Sequence, residues 1–279
     1  MDPIRIACVR YLNTVPLVSG LDRLEGLTLL RCAPAQIADK VLTGEADLGL
    51  ASIVDALSRP SDTVLFPAGM IGCEGPTLTV RVYSRCPLRE ATTLAADVES
   101  HTSVMLARLI LKRTLGVSPA VTPYRELEPW PETVLLIGDK AILGHPPESE
   151  YPHQLDLGLA WHELTGLPFV YAMWMARADA VGNGRARLAA AILDRQRRHN
   201  ACRMEWLVQS HAPGAGWPVE TARHYLQHLL RYEVTPRAFE AIDLFASMLA
   251  REEILVGART PRVDAFDATS AMLVPPAAR

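Results

Sequence analysis

Short apolar runs alternate with amphipathic segments along the first third of the chain. Runs at residues 4–9 and 27–32 predict buried strands, and a third apolar run leads to a strand that ends at Ser52. Between the second and third runs, Pro34 opens a segment that Gly44 ends, as proline and glycine commonly do at the two ends of a helix. This strand–helix–strand rhythm predicts a parallel sheet with right-handed crossover connections.

A second series of strands and helices follows further along the chain. The segments that predict strands are residues 63–67, 77–84, 93–96, 120–122, 134–137 and 169–174, and residues 72–76 form a predicted turn-rich connector. Residues 100–115 carry an apolar stripe at helical spacing, which predicts an amphipathic helix. From Gly182 to about Glu253 the pattern is almost wholly helical.

The order of these segments predicts an α/β protein with two lobes. We expect mixed, mostly parallel sheets and a helical C-terminal part that packs on the first lobe. The chain would cross between the lobes near Ser84 and return near Trp174. Lobe I would then be discontinuous, with residues 1–83 and 175–279, and lobe II would hold residues 84–174. This is the clamshell arrangement of the type II periplasmic-binding-protein fold.

Composition and charge narrow the class of protein. Of the 279 residues, 49% are hydrophobic and 21% are charged, which is the balance of a soluble globular protein. The net charge of −3 and the lack of a basic stripe argue against a nucleic-acid partner. The five cysteines are scattered and favour neither a disulfide framework nor a zinc site, and the sequence predicts no signal peptide or membrane span. We therefore expect a cytoplasmic protein without a membrane partner.

Polar side chains follow the predicted strands, at the edge where open α/β sheets bind their ligands. Asn13 and Thr14 come after the first strand, and Ser52 ends the third. Residues 72–79 place glycines and hydroxyl groups near the presumed hinge, and residues 100–103 place hydroxyls at the start of the amphipathic helix. Amides, hydroxyls and helix N-termini can bind carboxylates without a formal positive charge. The alternative is that the serines cap helices and the glycines only serve turns.

Standard catalytic signatures are absent from the sequence. It contains no G-x-S-x-G, no glycine-rich phosphate loop and no H-E-x-x-H. Of the eight histidines, His101 alone lies inside a polar cluster, and we treat it as a candidate site residue. Asp139 follows a buried strand, where it would either cap a helix or line the cleft. No set of residues predicts a metal site.

Several motifs, taken in order, resemble the chorismate dehydratase family of the futalosine route to menaquinone. The opening motif is Tyr11-Leu12-Asn13-Thr14-x-Pro16-Leu17. Further segments that look like the family are residues 44–49, 72–76, 102–104, 136–139 and 161–174, so the resemblance covers roughly residues 4–175. It implies a type II periplasmic-binding-protein-like fold that has become an enzyme, a carbon–oxygen lyase, with no metal or organic cofactor.

The resemblance also implies a reaction and the residues that perform it. The family removes water from chorismate to give 3-[(1-carboxyvinyl)oxy]benzoate. Asn13 matches an active-site asparagine of the family, and Thr79 stands where the family usually has a serine. Thr102 and Ser103 match its carboxylate-binding run. The resemblance further implies that the substrate's own enolpyruvyl carboxylate takes the proton, which agrees with the lack of an obvious general base.

The predicted site therefore has two groups of residues. Asn13 and Thr79 are the predicted catalytic residues. The predicted substrate-binding residues are Tyr11, Thr14, Ser52, Gly75, His101, Thr102, Ser103 and Asp139. Two alternatives stay open: a non-catalytic protein of the same fold that binds small carboxylates, and the sister lyase of the pathway, which acts on cyclic dehypoxanthinyl futalosine. The sequence predicts no oligomeric state.

Overall fold

A computed structural model describes residues 2–97, 100–124 and 129–266. Its strands are β1 (Ile4–Cys8), β2 (Leu27–Arg31), β3 (Leu48–Ser52), β4 (Thr63–Cys73), β5 (Val80–Ser84), β6 (Thr93–Asp97), β7 (Ala120–Tyr124), β8 (Thr133–Ile137), β9 (His153–Asp156), β10 (Phe169–Arg177), β11 (Leu230–Arg231) and β12 (Arg262–Val263). Its α-helices are α1 (Val15–Val18), α2 (Pro34–Leu42), α3 (Ile53–Ser58), α4 (His101–Ile110), α5 (Lys140–Leu143), α6 (Leu157–Thr165), α7 (Arg185–Ala201), α8 (Met204–His211), α9 (Val219–His224) and α10 (Pro236–Arg251). Leu111–Leu115 and Tyr225–Leu229 are π-helical turns that continue α4 and α9.

The strands form two sheets with a helical layer after them in the chain. The larger sheet has the order β11-β4-β10-β3-β1-β2, and β12 pairs with β4. The smaller sheet has the order β7-β6-β8-β5-β9. From α7 onward the described chain is mainly helical, as the pattern predicts, and the short strand β11 adds to the edge of the larger sheet. None of the helices in the described ranges is long and apolar enough to cross a membrane.

Both sheets are mixed, but they are not mostly parallel as we expected. Among the described strands, five pairings are parallel and five are antiparallel. Four of the parallel pairs join the strands of the βαβ units, such as β1 with β2 and β3, and the fifth joins β12 to β4. The antiparallel pairs come from β4, β5, β9, β10 and β11, which connect or return between the sheets. Apolar runs predict that a strand is buried and leave its direction open, so these pairings escaped the sequence pattern.

The pairing of the strands also shows where the chain passes from one sheet to the other. The connector predicted at residues 72–76 lies later in the chain, at residues 74–79, because β4 runs to Cys73 and pairs with β10 to that point, and β5 begins only at Val80. The next strand, β5, already belongs to the smaller sheet. The return lies between β9, which the sequence pattern missed, and β10, which pairs with β3 and β4 of the larger sheet. The chain thus passes to the smaller sheet before residue 84 and returns to the larger sheet before residue 174. The division into lobes stays a prediction.

An aromatic cluster fixes helices from two parts of the chain against β10. Trp161 on α6 packs edge-on against Phe169, with ring centroids 5.2 Å apart, and Phe245 on α10 lies 5.7 Å from Trp161 and 5.0 Å from Phe169. All three side chains are fully buried. Edge-to-face contacts of this kind add to the free energy of burying the rings. The start of β10 is therefore a rigid part of the fold, and it leads directly into the site described next.

Candidate active site

A cleft lies where the ends of β1, β3, β8 and β10 meet the N-terminus of α4. It holds about 700 Å³ of empty space, its open mouth included, which is the size of a small-molecule site. The cleft is lined by Val9, Tyr11, Asn13, Pro34, Leu50, Ser52, Ile71, Thr77, Thr79, Val80, Ser100, His101, Thr102, Ser103, Ile137, Gly138, Tyr171, Ala172, Tyr225 and Leu230. The predicted site residues among them are Tyr11, Asn13, Ser52, Thr79, His101, Thr102 and Ser103.

Asn13 enters the cleft from the turn that follows β1. Leu12–Thr14 form one turn of 3-10 helix, and α1 starts directly after it with Pro16 in its first turn. Proline is tolerated there because its missing N–H is not needed by the helix. The Thr14 hydroxyl donates to Asn13 Oδ1 at 3.2 Å, and Asn13 Nδ2 reaches the Tyr225 hydroxyl at 3.5 Å. Hydrogen bonds thus hold both ends of the Asn13 amide, and the second N–H of its NH2 group remains to donate to a ligand.

Thr79 contacts the same Tyr225 hydroxyl as Asn13 does. Its side chain is only 2% exposed, and its Oγ1 lies 2.8 Å from the Tyr225 hydroxyl. The turn before it contains Leu78 in the left-handed region, with a φ of 64°. Bulky residues adopt this conformation at a cost of about 1–3 kcal/mol, so the surrounding contacts must hold it. Asn13, Thr79 and Tyr225 therefore form one cluster of polar atoms.

A carboxylate holds the strained turn in place. Asp156, at the N-cap of α6, accepts hydrogen bonds from the backbone N–H groups of Thr77 and Leu78. The same carboxylate accepts from Gly158 and Leu159 in the first turn of α6. One buried side chain thus satisfies donors of both the turn and the helix, which fixes the position of Thr79 relative to α6.

A chain of hydroxyls links β3, α4 and β10. The Thr102 hydroxyl donates to the Tyr171 carbonyl at 3.0 Å, so its oxygen is free to accept from Ser52, 2.6 Å away. Thr102 and Ser103 are each 4% exposed and lie in the first turn of α4. The first backbone N–H groups of a helix have no partner within the helix. The protons of the Ser52 and Thr102 hydroxyls are thus used within this chain of hydrogen bonds. The donors that this end of the cleft can offer to an anion are the Ser103 hydroxyl and the backbone N–H groups of the first turn of α4.

His101 lies at the same helix end and is held by a carboxylate. Its Nδ1 is 2.7 Å from Asp55 Oδ1 on α3. The hydrogen bond to Asp55 raises the pKa of His101 above its ordinary value, and desolvation of the ring opposes that shift. Among the cleft residues named above, none is Lys, Arg, Asp or Glu. The imidazolium of His101 is thus the cation that this lining can offer, and its charge is balanced by Asp55.

Three predicted binding residues do not line the cleft. Thr14 is buried and touches Asn13, so it contacts the site through the amide. Gly75 has a φ of 111°, a conformation that favours glycine, and its carbonyl packs against Gly158. Asp139 accepts a hydrogen bond from Trp217 Nε1 at 3.0 Å, and burial raises the pKa of its carboxyl. Their direct contact with a substrate stays a prediction.

Sequence patterns missed several residues of this site. Tyr225 and Asp156 lie far along the chain, in segments whose patterns predict only a packed helix and a helix cap. Tyr171 contributes a backbone carbonyl, which no side-chain pattern reveals. The N-cap position of Asp156 before α6 was readable from the sequence, but its second partner, the turn at Thr77, was not. Within the described ranges, no group of three or more His, Cys, Asp or Glu residues could hold a metal ion.

The two mixed sheets and the cleft between their ends define a periplasmic-binding-protein-like fold. The structure resembles the periplasmic aliphatic sulphonate binding protein of Escherichia coli with a TM-score of 0.60 and 15% identity, covering 92% of this chain and 94% of that one. A crystal structure of an Archaeoglobus fulgidus protein gives a TM-score of 0.65 and 14% identity, covering 90% and 98%. Likeness at this level of identity establishes the fold.

Sequence similarity identifies the family within this fold. Residues 4–251 match the menaquinone biosynthesis family, and the chain belongs to it. A chorismate dehydratase of Thermus thermophilus is 30% identical over 266 residues, which is 89% of this chain and 96% of that protein. The match extends well beyond residue 175, so the helical C-terminal part belongs to the family unit as well.

Proposed function

We propose that this protein is a chorismate dehydratase, a hydro-lyase that forms 3-[(1-carboxyvinyl)oxy]benzoate and water. The observation that carries the proposal is the pairing of two features in one cleft. An amide–hydroxyl cluster of Asn13, Thr79 and Tyr225 lies at one side, and the donor-rich start of α4 with Thr102 and Ser103 lies at the other. Family membership and the similarity to the Thermus enzyme support the same reaction.

The chemistry of the substrate suits such a site. The hydrogen that is lost sits on the ring carbon that bears the enolpyruvyl ether, and one ring double bond conjugates that carbon to the ring carboxylate. Removal of this proton gives a dienolate, and the neighbouring hydroxyl then leaves as hydroxide with the electron pair of its carbon–oxygen bond. The released proton and hydroxide make water. Because the ring becomes aromatic, positioning and electrostatic stabilisation can supply much of the catalysis.

Each part of the cleft then has a role. Asn13 orients the enolpyruvyl group or the leaving hydroxyl, and Thr79 donates a hydrogen bond to the leaving oxygen or a carboxylate. The Ser103 hydroxyl and the backbone N–H groups of Thr102 and Ser103 bind a carboxylate, and His101 adds positive charge beside them. The resemblance to the family assigns the role of proton acceptor to the enolpyruvyl carboxylate of the substrate. The cleft lining described above, which holds no Asp, Glu or Lys, agrees with this role.

Incubation of the purified protein with chorismate tests the proposal directly. We expect an aromatic ultraviolet product, without added cofactor, that co-elutes with 3-[(1-carboxyvinyl)oxy]benzoate. Tight binding of chorismate without turnover would identify a non-catalytic carboxylate-binding protein instead. Turnover of cyclic dehypoxanthinyl futalosine, with none of chorismate, would identify the sister lyase. We also propose that the enzyme acts in the cytoplasm on this small-molecule substrate, in keeping with its composition.

A further inference from the structure

Tyr225 is the residue on which the two proposed catalytic side chains converge. It is 1% exposed and begins the π-helical turn after α9, in the C-terminal helical layer. Its hydroxyl contacts Thr79 Oγ1 at 2.8 Å and Asn13 Nδ2 at 3.5 Å. The phenol thus joins residues that lie at the ends of two different sheets.

The donor and the acceptor can be assigned in each of these contacts. Thr14 donates to Asn13 Oδ1, which leaves the Asn13 NH2 group to point at Tyr225. An NH2 group only donates, so the Tyr225 oxygen accepts that contact. The single proton of the phenol then goes to Thr79 Oγ1. The hydroxyl proton of Thr79 is then donated to the Thr77 carbonyl, a long contact of 3.5 Å that a closer acceptor on a substrate in the cleft can replace.

The surroundings of Tyr225 keep this arrangement fixed. Its ring stacks on Trp217, with centroids 5.1 Å apart and an angle of 20° between the planes. Trp217 Nε1 in turn donates to Asp139 at 3.0 Å. Burial raises the pKa of the Tyr225 phenol, so the phenol keeps its proton at neutral pH. Asp139 is therefore connected to the site indirectly, because it binds Trp217, whose ring stacks on the ring of Tyr225.

We propose that Tyr225 is a positioning residue that turns the Thr79 hydroxyl proton toward the leaving oxygen of the substrate. This inference rests on the proposed dehydratase function. The phenol donor occupies one side of Thr79 Oγ1, which keeps the hydroxyl proton on the side of the Thr77 carbonyl and the cleft. Without the phenol, the proton can also turn to the position that the phenol held, away from the substrate. The hydrogen bond from Thr79 to the leaving oxygen matters most while the carbon–oxygen bond breaks. Its loss therefore reduces kcat more than it changes KM.

The test compares Tyr225→Phe with the wild type in the chorismate assay. The variant keeps the ring and its stack on Trp217, and we expect kcat to fall about 10-fold to 100-fold with KM changed by less than about 3-fold. Tyr232→Phe is the matched control, because the Tyr232 hydroxyl is buried but has no hydrogen-bond partner in the described part of the chain. We expect that control to keep wild-type kcat.

A double-mutant cycle shows whether Tyr225 acts through Thr79. We expect Thr79→Ser to stay within a few-fold of the wild type and to remain sensitive to Tyr225→Phe. In the background of Thr79→Val, which lacks the hydroxyl, Tyr225→Phe should change kcat by less than about 2-fold. Equal and additive losses in both backgrounds would overturn the proposal, as would an unchanged kcat in Tyr225→Phe.

A second substitution covers the case in which Tyr225→Phe does not fold. Replacement of Tyr225 by 4-aminophenylalanine keeps a hydrogen-bond donor at the same place, so kcat should stay within a few-fold of the wild type. A folded 4-aminophenylalanine variant that loses most of kcat would contradict a role for Tyr225 as a donor to Thr79. Activity of the wild type is measured first: failure to dehydrate chorismate removes the proposed function and this inference together, whereas an active wild type with an insensitive Tyr225 removes the inference alone.

Discussion

At the scale of single residues, the site depends on neutral groups held in one orientation. Asn13 is fixed by Thr14 on its carbonyl side and by Tyr225 on its NH2 side. An amide that is already oriented needs no rearrangement when charge develops on the substrate, which is how preorganised donors lower a barrier. The β-branched side chain of Thr79 restricts the rotation of its hydroxyl group further.

We predict that Asn13→Ala lowers kcat/KM for chorismate by about 100-fold or more, the usual effect of removing one preorganised donor. The side chain is half-buried, so the fold should survive, and circular dichroism and thermal unfolding can verify this. Asn183→Ala, which changes an exposed asparagine in the turn before α7, is the control and should keep full activity. Near-normal turnover by a folded Asn13→Ala would remove Asn13 from the mechanism.

At the scale of secondary-structure elements, Asp156 holds the Thr77–Thr79 turn and the start of α6 together. Four backbone N–H groups converge on its carboxylate, at 2.8–3.1 Å. Leu78 keeps its left-handed conformation within this set of bonds. The turn has no regular secondary structure of its own, so the position of Thr79 depends on an element that lies about 80 residues further along the chain.

We predict that Asp156→Ala destabilises the protein by about 2–4 kcal/mol, since it removes a helix cap and leaves buried N–H groups without an acceptor. Activity should fall as well, because Thr79 loses its fixed position. Thr235→Ala removes the cap of α10, whose hydroxyl accepts from the Ala238 N–H, and should cost about 1 kcal/mol with activity unchanged. Urea unfolding and the chorismate assay measure both effects, and equal losses in the two variants would show that Asp156 is an ordinary cap.

The sequence could predict the site residues that local patterns place, but not those that are placed by contacts between distant parts of the chain. Asn13, Ser52 and Thr102 follow or precede regular elements, so hydrophobic pattern and turn chemistry place them at the edge of a sheet. Tyr225 lies 212 residues from Asn13, inside a helical segment where a tyrosine is typical of the core. Only the packing of the C-terminal helices brings its hydroxyl to the cleft. Strand β9 was missed because its four residues have no apolar run.

At the scale of the whole molecule, two contacts join β3 of the larger sheet and the following helix α3 to α4, which follows β6 of the smaller sheet. Ser52 at the end of β3 bonds Thr102 on α4, and Asp55 on α3 bonds His101 beside it. The first contact is neutral, whereas the second depends on protonation of the imidazole. Asp39 also favours the charged ring and Arg59 opposes it, but the bond to Asp55 is the largest cause of the raised pKa of His101.

We predict that the His101–Asp55 pair makes the stability of the protein depend on pH. Because folding raises the pKa of His101, the pair contributes in full below the ordinary histidine pKa of about 6.5, and its contribution is lost as the pH rises through the raised value. His101→Gln should therefore lower the free energy of unfolding more at pH 6 than at pH 9, as measured in urea. Asp179→Asn, which breaks an exposed pair with Arg177 that contains no histidine, should cost the same at both values. An equal loss for His101→Gln at pH 6 and pH 9 would mean that the imidazolium does not stabilise its contact with Asp55.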